Sequence, residues 1–215
     1  MIPDLLWRCP LCAVHDSLVH RQTWLRADVV ACNACGARWR VRRAAGDDFY
    51  LKLTDQGAVP DHMDALPPVG EERRLSAWYD LMKQTLRLEA LPSVHSSFAL
   101  AEGEMPYLVS GAAELWADPP GDTSKGEAAQ LDQGRLFLTN RRFVWRGDAQ
   151  QLDFPLHQVN GVYAFINFNL ALVVGQRLYQ VLFARESLLK WVTHAALLAP
   201  QVQAESGHIL RTSHY

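Results

Sequence analysis

The sequence predicts an α+β fold that is mostly β: a small cysteine-bearing ribbon, a connecting amphipathic helix, and a bent antiparallel sheet or partial barrel with a C-terminal helix. Three observations predict it. All four cysteines of the 215-residue chain fall in two Cys-x-x-Cys pairs, Cys9/Cys12 and Cys32/Cys35. From about Ala101 onward, short runs of large apolar residues alternate with turn signals every few residues, the pattern of a β-rich domain. Two stretches instead carry helical spacing, about Glu71–Leu91 between the halves and about Glu186–Ala199 near the end.

The cysteines define the first element. Residues Ala13 to Ala31 separate the two pairs, a spacing of the kind that builds four-cysteine zinc sites. Each Cys-x-x-Cys turn aims two thiolates at one point, and the intervening hairpin returns the second turn to the first. One structural Zn²⁺ held by Cys9, Cys12, Cys32 and Cys35 would have no open coordination position. Pro10 stiffens the first turn, and Gly36 supplies the positive φ such turns favour. Iron would take the same ligands. His15 and His20 lie between the pairs and are read as loop or surface residues rather than ligands. A redox role would place a single Cys-x-x-Cys beside a βαβ pattern, which this segment lacks.

Short strands surround the ligands: Ser17–Leu25, Asp28–Cys32, Ala37–Val41 and Asp48–Leu53, with a turn at Ala44–Asp48. The ribbon therefore spans residues 1–55. A unit that small draws much of its folding free energy from metal. Changing Cys32 to Ser is expected to unfold residues 1–55 and leave the strands beyond Ala101 intact. Within the ribbon, "RWRVRR" places Arg38, Arg40 and Arg42 on one strand face and Trp39 and Val41 on the other. Those arginines are candidate nucleic-acid contacts; the plainer reading is a solvated face over a buried tryptophan. Basic residues outnumber acids by only two over residues 1–55, and four thiolates on one Zn²⁺ cancel that excess.

Residues 56–100 form the linker and helix. "DQGAVPDHMDALPPVGEE" is rich in proline, glycine and acid, which marks a boundary. Its Asp61, His62 and Asp64 read as loop residues. In the helix, Leu75, Trp78, Tyr79, Met82 and Leu86 form one stripe suited to packing on a neighbour.

Residues 101–200 switch to strands. Tyr107–Asp118 reads as a strand pair or a bulged strand, followed by a polar loop at Pro119–Gln130. Strands follow at Gly134–Asn140, Arg142–Gly147, Gln151–Leu156, Gly161–Asn167, Leu170–Gly175 and Leu178–Ala184. Ser187 and Pro200 bracket the closing helix, and residues 201–215 read as a polar tail.

"GRLFLTNRRFVWRG", "QLDFPLHQVNGV" and "ARESLLKWV" resemble the PH-like superfamily, in particular its GRAM and bacterial PH-like members. The resemblance covers about residues 100–200 and implies a non-catalytic module that binds proteins or lipids. Where such domains grip phosphoinositide headgroups, basic residues near the first hairpins do so, which nominates Lys125, Arg135, Arg141, Arg142 and Arg146. Read without the resemblance, Arg141 and Arg142 are turn residues and Arg135 and Arg146 solvated strand positions. The order of ribbon, "AWYD" helix and PH-like domain is also similar to the accessory region of some bacterial 1-acylglycerol-3-phosphate acyltransferase homologues. The His-x-x-x-x-Asp dyad of that catalytic domain is absent from the sequence, so the activity does not carry over.

A formal net charge of −2 gives no global field toward nucleic acid or anionic lipid. The sequence contains no G-x-S-x-G elbow and no G-x-x-x-x-G-K-[ST] loop. It shows no secretory signal and no apolar run long enough to span a bilayer. The expectation is a non-enzymatic, cytoplasmic adaptor, placed at most peripherally at the inner face of a membrane. A protein is the first-choice partner, peripheral membrane lipid the second and nucleic acid the third; an accessory or regulatory subunit of a lipid acyltransferase is a further alternative.

Overall fold

The computed structural model describes residues 2–22, 27–43, 49–58, 66–87, 91–118, 128–165, 169–184, 186–199 and 203–205. The chain is mostly β, and its helices are few. It divides into two compact units, one built on Met1–Leu86 and the other on Arg87–Ile209.

The first unit begins with a single helical turn, α1 (Ile2–Leu5), followed by β1 (Leu18–Arg21), β2 (Val29–Cys32), β3 (Arg38–Arg43), β4 (Phe49–Asp55), β5 (Glu72–Arg74) and α2 (Leu75–Gln84). The five strands form an antiparallel meander in chain order. Alternation along β3 buries Trp39 and Val41 and exposes Arg38, Arg40 and Arg42, as the period of two requires. Val30, Trp39, Leu51 and Leu53 are buried on the inner side, and α2 buries Leu75, Trp78, Tyr79 and Met82. Trp78 meets Trp39 edge-on at 5.8 Å and donates its indole N–H to the Leu51 carbonyl at 2.9 Å. The helix is thus a component of the N-terminal core.

Helical spacing predicts a start near Glu71, yet Glu72–Arg74 is extended. Sheet pairing wins over helical propensity there. Tyr50, Leu51 and Lys52 of β4 would otherwise leave an unpaired edge, and they pair with Arg74, Arg73 and Glu72. Gly70, at φ +97°, makes the turn, and its N–H bonds the Leu53 carbonyl at 2.7 Å. Asp61, His62 and Asp64 lie outside the described residues.

The second unit contains β6 (Pro106–Val109), β7 (Ala113–Ala117), β8 (Ala129–Thr139), β9 (Arg142–Gly147), β10 (Gln151–Pro155), β11 (Val159–Phe165), β12 (Asn169–Val174), β13 (Arg177–Phe183), α3 (Leu188–Leu198) and β14 (Gln203–Glu205). The sheet is open, with the order β10-β9-β8-β7-β13-β12-β11-β14. All pairings are antiparallel except β11 with β14.

The stretch that sequence left as a strand pair or a bulged strand is one path broken in the middle. Both β6 and β7 run along the same edge of β8. At the break, the Ser110 N–H donates to the Leu136 carbonyl at 2.8 Å. The Ser110 hydroxyl accepts from the Leu136 N–H at 2.9 Å, so a side chain replaces the missing rung of the ladder. Helix α3 is capped by Ser187, whose hydroxyl accepts from the Lys190 N–H at 3.2 Å. It buries Leu188, Trp191, Val192 and Ala195 in a core with Leu115, Leu136, Trp145, Val162 and Leu172. The segment read as a polar tail contributes β14 to the sheet edge. No helix among the described residues is long and apolar enough to cross a membrane.

Candidate metal centre

Two turns of matching design carry the sulfurs. In the first, the Cys9 N–H bonds the Val14 carbonyl and the Ala13 N–H bonds the Cys9 carbonyl, each at 3.0 Å. In the second, the Cys32 N–H bonds the Ala37 carbonyl at 2.8 Å and the Gly36 N–H bonds the Cys32 carbonyl at 2.9 Å. The residue after each second cysteine is left-handed, with Gly36 at φ +82° and Ala13 at φ 64°. Sequence anticipates the second turn through its glycine; nothing in an alanine announces the first.

The four Sγ atoms lie within 4.8 Å of one another, and all four cysteines are buried. Cys9 Sγ sits 3.9 Å from Cys35 Sγ, and Cys12 Sγ 3.7 Å from Cys32 Sγ. Tetrahedral coordination at about 2.3 Å implies sulfur–sulfur edges of about 3.8 Å, so the donor set fits one metal ion. Four sulfurs suit zinc and iron alike. Among the described residues, the clustered ligand atoms are the four sulfurs. His15 instead packs edge-on against Trp7 at 5.0 Å, and His20 lies 3.6 Å from Asp28.

The thiols are not equivalent. Burial pushes Cys9 well up and raises Cys35 to about 12. Burial also opposes charge on Cys32, but the Ser17 hydroxyl and the N–H groups of Cys35 and Ala34 outweigh it and bring that thiol down to about 7. Ser17 Oγ stands 3.3 Å from Cys32 Sγ. Cys32 is therefore readier than Cys9 or Cys35 to be a thiolate near neutral pH. Loading a metal must displace protons from those two.

Arg8 is the residue that motif reading misses. It is 5% exposed, and burial lowers its pKa while the charges of Cys12 and Cys9 pull it back up. Its Nε donates to the Ala13 carbonyl at 2.7 Å. Its Nη1 donates to the Met82 carbonyl at 3.3 Å and to Thr85 Oγ1 at 2.9 Å. One guanidinium thus braces the first turn, reaches the C-terminal end of α2 and opposes the negative charge of the sulfurs. The only sequence signal was a cation directly before Cys9.

The other nominated residues are dispersed. Arg38, Arg40 and Arg42 are exposed on β3, with Arg42 bonded to Glu72 at 2.9 Å. In the second unit, Arg142 grips the buried Glu104 through Nε at 2.8 Å and Nη2 at 2.9 Å, and its Nη1 pairs with Asp153. Arg146 reaches Asp153 at 2.8 Å. Both guanidiniums lie over the Phe98 ring, at 5.6 Å and 4.9 Å from its centroid. Arg141 sits in the turn and donates to the Glu102 carbonyl at 2.6 Å, while Arg135 is exposed. Lys125 lies outside the described residues. Arg142 and Arg146 are therefore engaged with carboxylates of their own unit.

An open groove of about 530 Å³ runs beside this network, lined among others by Arg141, Pro155, Leu156, His157 and Leu198. No protein-family model matches the chain, and no curated protein matches it.

Proposed function

We propose that the chain is a non-catalytic adaptor whose N-terminal unit is held folded by one structural zinc and whose C-terminal unit is a PH-like binding module. The observation that carries the reading is the closed set of four buried sulfurs: zinc held by all four leaves no ligand position for substrate. The reading draws on the antiparallel run β7 to β13 within the nine-stranded sheet and on the helix packed against its core. Neutralisation of Arg142 and Arg146 by Glu104 and Asp153 favours a protein over an anionic headgroup. The groove at Leu156, with exposed His157 and apolar Leu198 and Pro155 on its walls, offers a mixed surface of the kind proteins recognise.

Metal analysis of the purified chain should return one zinc per polypeptide, with iron absent. Affinity capture with the intact chain should enrich a partner that is lost when exposed Arg141 or His157 at the groove is changed to Asp. Capture indifferent to both changes would remove the groove from the proposal.

A further inference from the structure

The outer face of the five-stranded sheet, turned away from Trp39, Leu51 and Leu53, sorts the charge of the first unit. Arg21 of β1, Arg38, Arg40 and Arg42 of β3, Lys52 of β4 and Arg74 of β5 are all exposed there. Among the described residues two carboxylates accompany them, Glu72 and, at the strand end, Asp55, while Asp47 and Asp48 lie outside the described residues. A near-neutral sum over the N-terminal sequence conceals this, because Asp4, Asp16 and Asp28 lie outside the five strands and Arg74 arrives from the connector. No ion pair engages Arg21, Arg38 or Arg40 among the described residues.

Strand register gives the charges an order. One row crosses all five strands as Arg21–Val29–Arg40–Lys52–Glu72. It sets Arg40 directly opposite Lys52, an arrangement that destabilises an antiparallel pair. A second row, Arg42–Tyr50–Arg74, brings both guanidiniums to the Tyr50 ring, 4.6 Å and 5.8 Å from its centroid. Strands about 4.8 Å apart make the face about 19 Å wide, and Arg38, Arg40 and Arg42 follow one another at about 7 Å.

We infer that this face binds single-stranded nucleic acid, with the cations tracking phosphates and Tyr50 orienting the Arg42 and Arg74 guanidiniums that lie over its ring. A flat, basic sheet suits the backbone of a flexible single strand, and this face presents no helix to enter a duplex groove. A membrane surface is disfavoured by what the face lacks. The exposed large hydrophobics among the described residues are Val14, Val69, Leu100, Met105 and Phe165, none of which stands on it. The inference needs only the folded N-terminal unit and is independent of the PH-like reading.

The test is fluorescence anisotropy of the full-length, zinc-loaded chain with labelled 20-nucleotide dT and rU probes between 50 and 300 mM KCl. Binding should weaken with salt along a log–log slope of about −3, corresponding to about four phosphates. The double variant Arg40→Glu, Lys52→Glu should bind at least tenfold more weakly with unchanged zinc content. The single Arg40→Glu, which turns a like-charge pair into an opposite one, should weaken binding while raising the melting temperature, so that lost affinity cannot be lost folding. Absence of salt-dependent binding at 50 mM KCl, or a double variant that binds as the parent does, would overturn the inference. So would stronger binding to phosphatidylserine vesicles or to polyglutamate than to either oligonucleotide.

Discussion

Ala13 and Arg8 show how much of the metal centre rests on residues that are not ligands. Ala13 holds φ 64°, a conformation that costs a residue with a Cβ about 1–2 kcal/mol. Its counterpart in the second turn is Gly36, at φ +82°. Ala13→Gly should therefore stabilise the metal-loaded unit by about 0.5–1 kcal/mol, after allowing for the greater entropy glycine loses on folding. A denaturant titration that shows the variant to be less stable would contradict the turn geometry. Arg8 acts in the opposite sense. Arg8→Ala removes three hydrogen bonds and leaves the sulfurs without their nearest buried cation, at a cost of about 2–3 kcal/mol. Arg8→Lys should recover little of that, because a single ammonium cannot reproduce the guanidinium fork. Zinc retention against a competing chelator would rank the parent above Lys and Lys above Ala. In the second unit Asp132 has a comparable role. It is 7% exposed and accepts from the Trp145 indole at 3.0 Å and from the N–H groups of Ala149, Gln150 and Gln133. Asp132→Ala should cost about 3 kcal/mol, since it strands buried donors.

Elements were legible in the sequence where one residue pattern had one physical meaning. The alternation in "RWRVRR" and the stripe Leu75, Trp78, Tyr79, Met82 state directly which side is buried. The Cys-x-x-Cys spacing fixes the ligand set because chain geometry leaves two such turns few other ways to meet. Legibility failed where a backbone obeyed a distant partner. Glu72–Arg74 read as the first turn of a helix but paired with β4, and Gln203–Glu205 read as tail but joined β11. Of the arginines nominated for headgroups, Arg142 is matched by Glu104, 38 residues away, a partner that local sequence does not announce. That pairing has a consequence for the unit it holds. Burial alone would push the Glu104 carboxyl up, but bonds from Arg142, from the Ala101 N–H and from the Thr139 hydroxyl outweigh it and hold it below the usual carboxylate range. Asp132 is lowered in the same way, by the Trp145 indole and the N–H groups of Ala149, Gln150 and Gln133, against burial. A carboxylate whose pKa is depressed in the folded state contributes stability that is fully present above its unfolded pKa, about 4. That stability is lost as the pH falls through the folded value. The melting temperature of the second unit should thus be flat from pH 7 to about 5 and fall below about 4, and Glu104→Gln should lower the plateau and shallow the fall. An identical acid limb in parent and variant would show that Glu104 carries none of it.

At the scale of the whole molecule, the division into Met1–Leu86 and Arg87–Ile209 makes metal removal an experiment on half the chain. A ribbon of residues 1–55 alone would lose its own strands and nothing else. The N-terminal core reaches further, because Trp78, Tyr79 and Met82 of α2 are buried in that unit and Trp78 is bonded to Leu51. Structural zinc contributes about 10–16 kcal/mol of binding free energy near neutral pH. A unit of this length has a net stability of only about 4–13 kcal/mol. Binding is therefore large enough to govern folding of the entire unit, α2 included. Stripping the metal, or changing Cys32 to Ser, should unfold the chain through Leu86. Trp7, Trp39 and Trp78 are all buried there, so tryptophan emission should shift to the red. Amide exchange should become fast across β3, β4 and α2 while β8, β9 and α3 keep their protection around Trp145 and Trp191. Restoring zinc to the parent should reverse both signals. Loss of protection confined to the two cysteine turns would show that the packing of α2 on β3 and β4 stands without metal, and would reduce the ion to a local staple.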